Sequence, residues 1–146
     1  REAIVPYALF TDAAGQNRLE LWDTSWDVLT EGPKNFILGI GIFDFAQLHD
    51  EVRDPLHIEP LLYPHNIILN FWLEYGLLGI FSISWLLFSF FKQNHKELKT
   101  NGSKNRWFVA GLIAAMIAIL THGLVDVPYF KNDLAVLWWV LIGLVL

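Results

Sequence analysis

The polar and apolar positions divide the chain into an outer stretch of mixed character followed by three apolar runs. From Ile67 to Phe91 the run is broken only by Asn70, Glu74 and scattered Ser and Gly. That is enough for a hydrocarbon core, which needs about 20 helical residues. A second run, Trp107 to Val125, carries no charge and one late His, and a third runs from Leu134 to Leu146. The pattern therefore predicts spans over residues 67–91, 107–125 and 134–146, in an all-α integral membrane fold. The third holds 13 residues, fewer than the roughly 17 needed to cross, and is expected to stop mid-helix. Upstream, GQNRLELWDTSWDVLTEGP reads as one amphipathic helix, with Leu19, Trp22, Trp26 and Leu29 at three- and four-residue spacing and Gly32-Pro33 ending it. Tryptophans at this spacing suit a membrane interface. In NFILGIGIFDF, Gly39 and Gly41 interrupt an apolar run, which suggests either a tight, backbone-exposed turn near the bilayer surface or a packing role.

Charge sets the orientation of these spans. Residues 92–106 carry Lys92, Lys96, Lys99, Lys104 and Arg106 against one acid, Glu97, for a net +4. Residues 1–66 hold four basic residues and eleven acids, a net −7. By the positive-inside rule, 92–106 is a cytoplasmic loop, while 1–66 and the turn 126–133 lie outside. The Asn-Gly-Ser sequon at Asn101 then falls on the wrong side for glycosylation and reads as a loop turn. The chain starts at Arg1 with no apolar leader to explain how residues 1–66 reach the outside. A C-terminal fragment of a polytopic protein is expected, with 1–66 as its extracytoplasmic helical loop.

Composition narrows the chemistry. Of the 146 residues, 54% are apolar and 17% are charged, against roughly 25% charged in soluble domains. Disorder, collagen-like repeats and a disulfide-stapled fold are excluded. With no Cys, thiol nucleophiles and Cys-ligated metals are excluded too. No basic surface for nucleic acid exists. The loop 46–64 gathers His49, Asp50, Glu51, Asp54, His57 and Glu59, but the irregular spacing favours a solvated acidic loop over a metal site. Arg53 in that loop reads as a solvated ion pair.

Several residues remain as candidates for chemistry. His65 stands where the first span emerges, and Pro64 before it suits a helix start. An imidazole there is either an ordinary interface residue or a group able to take a proton from a hydroxyl near neutral pH. Arg18, near the start of the Trp-bearing helix, is either a surface Arg paired with Glu20 or Asp23 or a fork for an anion. Asn66, Asn70 and Glu74 are spaced by four, which puts them on one helix face turned into the bundle, as a cavity wall or as helix-to-helix hydrogen bonds. His122 and Asp126, also four apart, can pair and orient a ring. Gly76, Gly79 and Gly111 read as close-packing positions.

His65-Asn66, nine residues, and then Gly76-Leu77-Leu78-Gly79 resemble the signature of the O-antigen ligase and polymerase superfamily of bacterial envelope glycosyltransferases, which includes protein O-oligosaccharyltransferases. Arg18-x-x-x-Trp22, followed by Pro33 and Gly39-x-Gly41, is similar to a second motif of that family, although five residues here separate Pro33 from Gly39. The tail His122-Gly123 to Asp126 is a weaker third. The resemblance implies a GT-C-type helical bundle in the bacterial cytoplasmic membrane, with its active site on the extracytoplasmic face. It also implies transfer of an undecaprenyl diphosphate-linked glycan to an acceptor hydroxyl, without nucleotide sugar, cofactor or essential metal. In that reading His65 is catalytic, Arg18 binds the donor diphosphate, and Asn66, Asn70, Glu74, His122 and Asp126 line the cavity or orient the catalytic group. The expected partner is a lipid or glycan acceptor, and ligase, polymerase and protein O-oligosaccharyltransferase, which differ by acceptor, stay open as alternatives. A non-catalytic transporter of lipid-linked glycans is the rival from another class: Arg18 would bind diphosphate there and His65 would have no chemical task.

Overall fold

The computed structural model describes residues 13–41, 63–100, 105–128 and 132–145. Among them the secondary structure is entirely helical, in five helices: α1 (Ala13–Thr30), α2 (Pro33–Leu38), α3 (Ile67–Lys99), α4 (Arg106–His122) and α5 (Asn132–Gly143). The acidic loop, with His49, Asp50, Glu51, Arg53, Asp54, His57 and Glu59, lies outside the described residues.

α3 is the one helix among the described residues that is long and apolar enough to cross a membrane. Its 33 residues are interrupted at Gly76, and the stretch after that break, residues 77–99, alone corresponds to about 35 Å at 1.5 Å per residue, beyond a core of about 30 Å. Lys92 to Lys99, expected as loop, is observed as helix and carries α3 past the predicted span. The reason is local: Lys, Gln and Glu are good helix formers, and Lys96 and Lys99 in the last turn complement the helix dipole. The stretch between the end of α3 and the start of α4 is correspondingly shorter in sequence than the predicted 92–106. The other two expected spans are shorter apolar helices, 17 residues in α4 and 12 in α5.

α3 and α4 form an antiparallel hairpin. The end where α3 begins is closed by the Ile67 amide donating to the Gly123 carbonyl at 2.7 Å. A core of Ile67, Phe71, Phe90, Leu112, Met116, Trp138, Leu141 and Ile142 joins α3, α4 and α5. The opposite face of α3 leaves Leu78, Phe81, Trp85 and Phe88 exposed, a continuous apolar stripe that suits a lipid or helix neighbour and not water.

α1 and α2 pack on the N-terminal third of α3 through Leu21, Leu29 and Leu73, with Trp22, Val28, Ile40, Leu69 and Trp72 around them. The buried face of α1 is wider than the stripe read from the sequence. It includes Leu19, Leu21, Ser25 and Leu29, so Arg18, three residues before Leu21, shares it. Trp26 and Phe36 meet the Trp72 ring edge-on at 6.1 and 4.9 Å between centroids, and these aromatic rings join α1 and α2 to α3. Pro33 does not merely end α1. It starts α2, with Gly32 as the preceding cap, where its missing N–H costs nothing.

α3 is broken at Gly76, whose backbone (φ 64°, ψ −158°) is non-helical. Gly39 closes α2 in a similar conformation, φ 75° and ψ −169°. Both values lie in the territory that glycine alone enters at low cost. Gly79 approaches its own Tyr75 side chain, whereas Gly111 has open space around it among the described residues, so the packing role expected of Gly111 is not seen.

Candidate active site where α3 begins and α4 ends

Three chain segments distant in sequence meet where α3 begins and α4 ends. Pro64 is buried and precedes the helix by three residues, so it is not the first helical residue. His65 follows with φ 47°, the one described non-glycine residue in the left-handed region. Asn66 then caps α3, its Oδ1 accepting from the Ile68 and Leu69 amides at 3.0 and 3.1 Å. Its Nδ2 donates to the Leu124 carbonyl at 3.1 Å. Asn66 is thereby committed on both sides to backbone, as a cap and as a tie to the α4 turn. The left-handed turn at His65 swings its ring away from the axis of α3 toward that same turn. Such backbone is sparsely populated and persists where surrounding contacts over-determine it.

The partner of the His65 ring is Asp126. Nδ1 lies 3.1 Å from Asp126 Oδ1, and because a carboxylate only accepts, Nδ1 carries the proton and donates. In the neutral ring this tautomer leaves the lone pair on Nε2, the arrangement of a general base held by an acid. Asp126 Oδ1 also accepts from the Val127 amide at 2.8 Å, and Oδ2 lies 3.3 Å from Nε2 of His122. The carboxylate is 14% exposed, against 28% for the His65 side chain and 56% for that of His122. Asp126 is therefore the sheltered centre, His65 is half-open and His122 stands at the rim.

Arg18 reaches the same turn from α1. Its Nε donates to the Val125 carbonyl at 3.0 Å, one residue from Asp126. That single bond anchors the guanidinium by its stem side, whereas a bidentate fork engages an anion through its outer nitrogens. The turn carbonyls of Gly123 and Leu124, taken by Ile67 and Asn66 at the start of α3, and of Val125, taken by Arg18 of α1, are functional features that residue-type reasoning missed. The available signal was topological: consecutive antiparallel spans bring the start of one and the end of the next to the same side, which puts His65 beside the His122 to Asp126 tail.

Asn70 and Glu74 lie deeper on α3. Asn70 is 2% exposed and donates from Nδ2 to Glu74 Oε1 at 3.0 Å. The pair thus satisfies itself along one helix face, as groups at this depth must. Neither has a contact to His65, Arg18 or Asp126 among the hydrogen bonds described, so the five-residue cavity or orienting set divides. Asn66, His122 and Asp126 are at the helix ends, and Asn70 and Glu74 form a separate polar pair below.

The sequence model of O-antigen ligase matches residues 8–84, more than half of the chain and including Arg18, His65 and the Gly76 break. The chain belongs to the O-antigen ligase family. Members are membrane glycosyltransferases of the inner membrane, and membership implies ligase- or polymerase-type transfer of a lipid-linked glycan. Comparison with curated proteins and with solved structures gave no match. Of the convergent groups, Asp126 and His122 lie beyond the part of the chain that the O-antigen ligase model covers.

Proposed function

We propose that the outer ends of α1, α3 and α4 form the transfer site of an O-antigen ligase-type enzyme on the extracytoplasmic face of the bacterial inner membrane. The donor is an undecaprenyl diphosphate-linked glycan, and the acceptor is a hydroxyl of a lipid or glycan. The observation that carries the reading is the convergence of the His65–Asp126 pair with Arg18 at one turn. The acceptor oxygen attacks the anomeric carbon, and its proton passes to Nε2 of His65. The bond from that carbon to the diphosphate oxygen breaks, its electron pair stays on the phosphate, and undecaprenyl diphosphate leaves. Negative charge that grows on the leaving group meets the Arg18 guanidinium, in an interfacial setting where a fixed cation counts for more than it does in water. A transporter has no use for an acid-held imidazole with a free Nε2, which favours transfer over the rival class.

Arg18 tests the donor half of this mechanism. In the full-length protein in native membranes, supplied with undecaprenyl diphosphate-linked glycan and candidate acceptors, Arg18→Ala is expected to lower transfer about 10- to 100-fold, the worth of one charged hydrogen-bonding group. Arg18→Lys keeps the charge and loses the fork, so it should fall between alanine and wild type. Full activity in both variants removes Arg18 from the site.

Topology is tested separately. The reading puts residues 1–66 and 126–133 outside and the basic end of α3 inside. An impermeant thiol reagent added to intact cells from which the outer membrane barrier has been removed should label a Cys at exposed Asp27 and spare one at exposed Lys99. The reverse pattern would place the site in the cytoplasm and overturn the assignment.

A further inference from the structure

The break in α3 is filled by another piece of backbone. The amides of Ile40 and Gly41 both reach the Leu73 carbonyl, at 2.6 and 3.2 Å, just ahead of Gly76. Trp72 Nε1 donates to the Phe36 carbonyl of α2 at 2.7 Å, and the Asn35 side chain ties α2 back to the Val28 carbonyl of α1 at 3.1 Å. The two glycines face each other with no room for a side chain. A Cβ on Gly39 would stand 2.7 Å from the Trp72 carbonyl oxygen, 2.9 Å from Gly76 N and closer still to the Leu73 oxygen. A Cβ on Gly76 would meet the Ile37 carbonyl oxygen, and Leu38 Cα at 2.7 Å. Both positions also have positive φ, so a methyl group is opposed twice, by space and by conformation.

We infer that Gly39 and Gly76 form a backbone interlock that positions the two halves of the proposed site, fixing the α1 segment that carries Arg18 against the short outer half of α3 that carries His65. This rests on the transfer reading given above. A glycine break in a membrane helix ordinarily serves as a kink or hinge. Here the turn that follows α2 occupies the break, and it is held by the Leu73 carbonyl, so the outer half of α3 is coupled to α1 and α2 instead of swinging freely. Arg18 and His65 are then joined from two sides. One is the interlock, and the other is the α4 turn, which takes the Arg18 stem at Val125 and the His65 ring at Asp126. Such a frame holds a diphosphate-binding cation and a hydroxyl-facing imidazole at a constant separation, which in-line displacement requires. Misplacement by about 1 Å typically costs on the order of 100-fold in rate. Gly39 and Gly76 are positioning residues and touch neither substrate.

The test measures geometry apart from turnover. Spin labels on Cys introduced at Gln16 and Ile68, both exposed, report the distance between the Arg18 and His65 segments in the full-length protein in bilayers. The expected result is a narrow distribution for wild type and a shifted or broadened one for Gly39→Ala and Gly76→Ala. In those variants kcat falls about tenfold or more at little-changed donor KM, because Arg18 stays on an intact α1. Gly32→Ala and Gly111→Ala, where a methyl group meets open space, should match wild type in both readouts. If the interlock variants fail to insert, Trp72→Phe, which deletes one interlock hydrogen bond and keeps most of the ring, should broaden the distribution to a lesser degree. Unchanged distributions in properly inserted Gly39→Ala and Gly76→Ala, or in Trp72→Phe, overturn the inference, as does wild-type kcat despite a broadened distribution. Absence of transfer by the wild-type protein counts against the glycosyltransferase reading instead, and the label distances still decide whether the interlock exists.

Discussion

His65→Ala in the full-length protein should lower glycan transfer about 100- to 10,000-fold, roughly 3 to 5 kcal/mol of barrier, with membrane insertion and donor affinity retained. The size follows from the task assigned to Nε2. An alcohol is a poor nucleophile until its proton is leaving, and a positioned base supplies that removal in the transition state, while ground-state donor binding depends on other groups. His65→Gln separates two versions of the role. Glutamine offers a hydrogen-bonding terminus and no base of suitable strength, so activity retained by Gln and lost in Ala means that His65 orients the hydroxyl without accepting its proton. Turnover, donor affinity and expression level must be measured independently. Retention of even a third of wild-type turnover in His65→Ala is too small an effect for a general base, and loss of folding in both variants assigns the residue a structural task at its left-handed turn.

Much of the architecture was legible because it depends on local periodicity and composition. The apolar run starting at Ile67 is a helix, the Trp-bearing segment is a helix, and the family resemblance carried by His65, Asn66, Gly76 and Gly79 agrees with the match over residues 8–84. What was not legible depends on tertiary pairing. Gly39 and Gly76 belong to two motifs that looked like separate turn and packing signals, yet each is shaped by the backbone of the other, and no spacing along the chain encodes that. Asp126 read as the helical neighbour of His122. It is also the partner of His65, 61 residues away, a contact fixed by hairpin geometry and by a positive φ that residue type does not disclose. Arg18 read as either a surface ion pair or an anion fork. The structure instead gives its stem a backbone carbonyl, because α1 buries a wider face than its Leu and Trp positions imply. The helical continuation from Lys92 to Lys99 shows the opposite bias: a cluster of charge resembles a loop, although its residues favour helix.

Asp126 carries the second large effect, and its variants separate orientation from charge. His65 Nδ1 and the Val127 amide share Asp126 Oδ1, and His122 Nε2 lies 3.3 Å from Oδ2. Asp126→Ala removes all of these contacts. It leaves the His65 ring free to rotate and to place its proton on either nitrogen, so a loss of about 100- to 1,000-fold in transfer is expected. Asp126→Asn is subtler. An asparagine can keep its oxygen toward His65 and Val127 if its amide turns toward His122, and that exposed ring can change tautomer to accept. Orientation then survives, while the negative charge that steadies the imidazolium formed on proton uptake is gone. A loss of about 10- to 100-fold is expected, smaller than for alanine. His122→Ala, which removes only the rim partner of Oδ2, should stay within about threefold of wild type, in keeping with the small worth of exposed ion pairs. The order Ala, Asn, then His122→Ala, from largest loss to smallest, is the signature of an acid that holds and charges the base. Equal activity in Asp126→Ala and wild type would leave His65 without its orienting partner and return the Asp126 contact to a purely structural tie between α3 and α4.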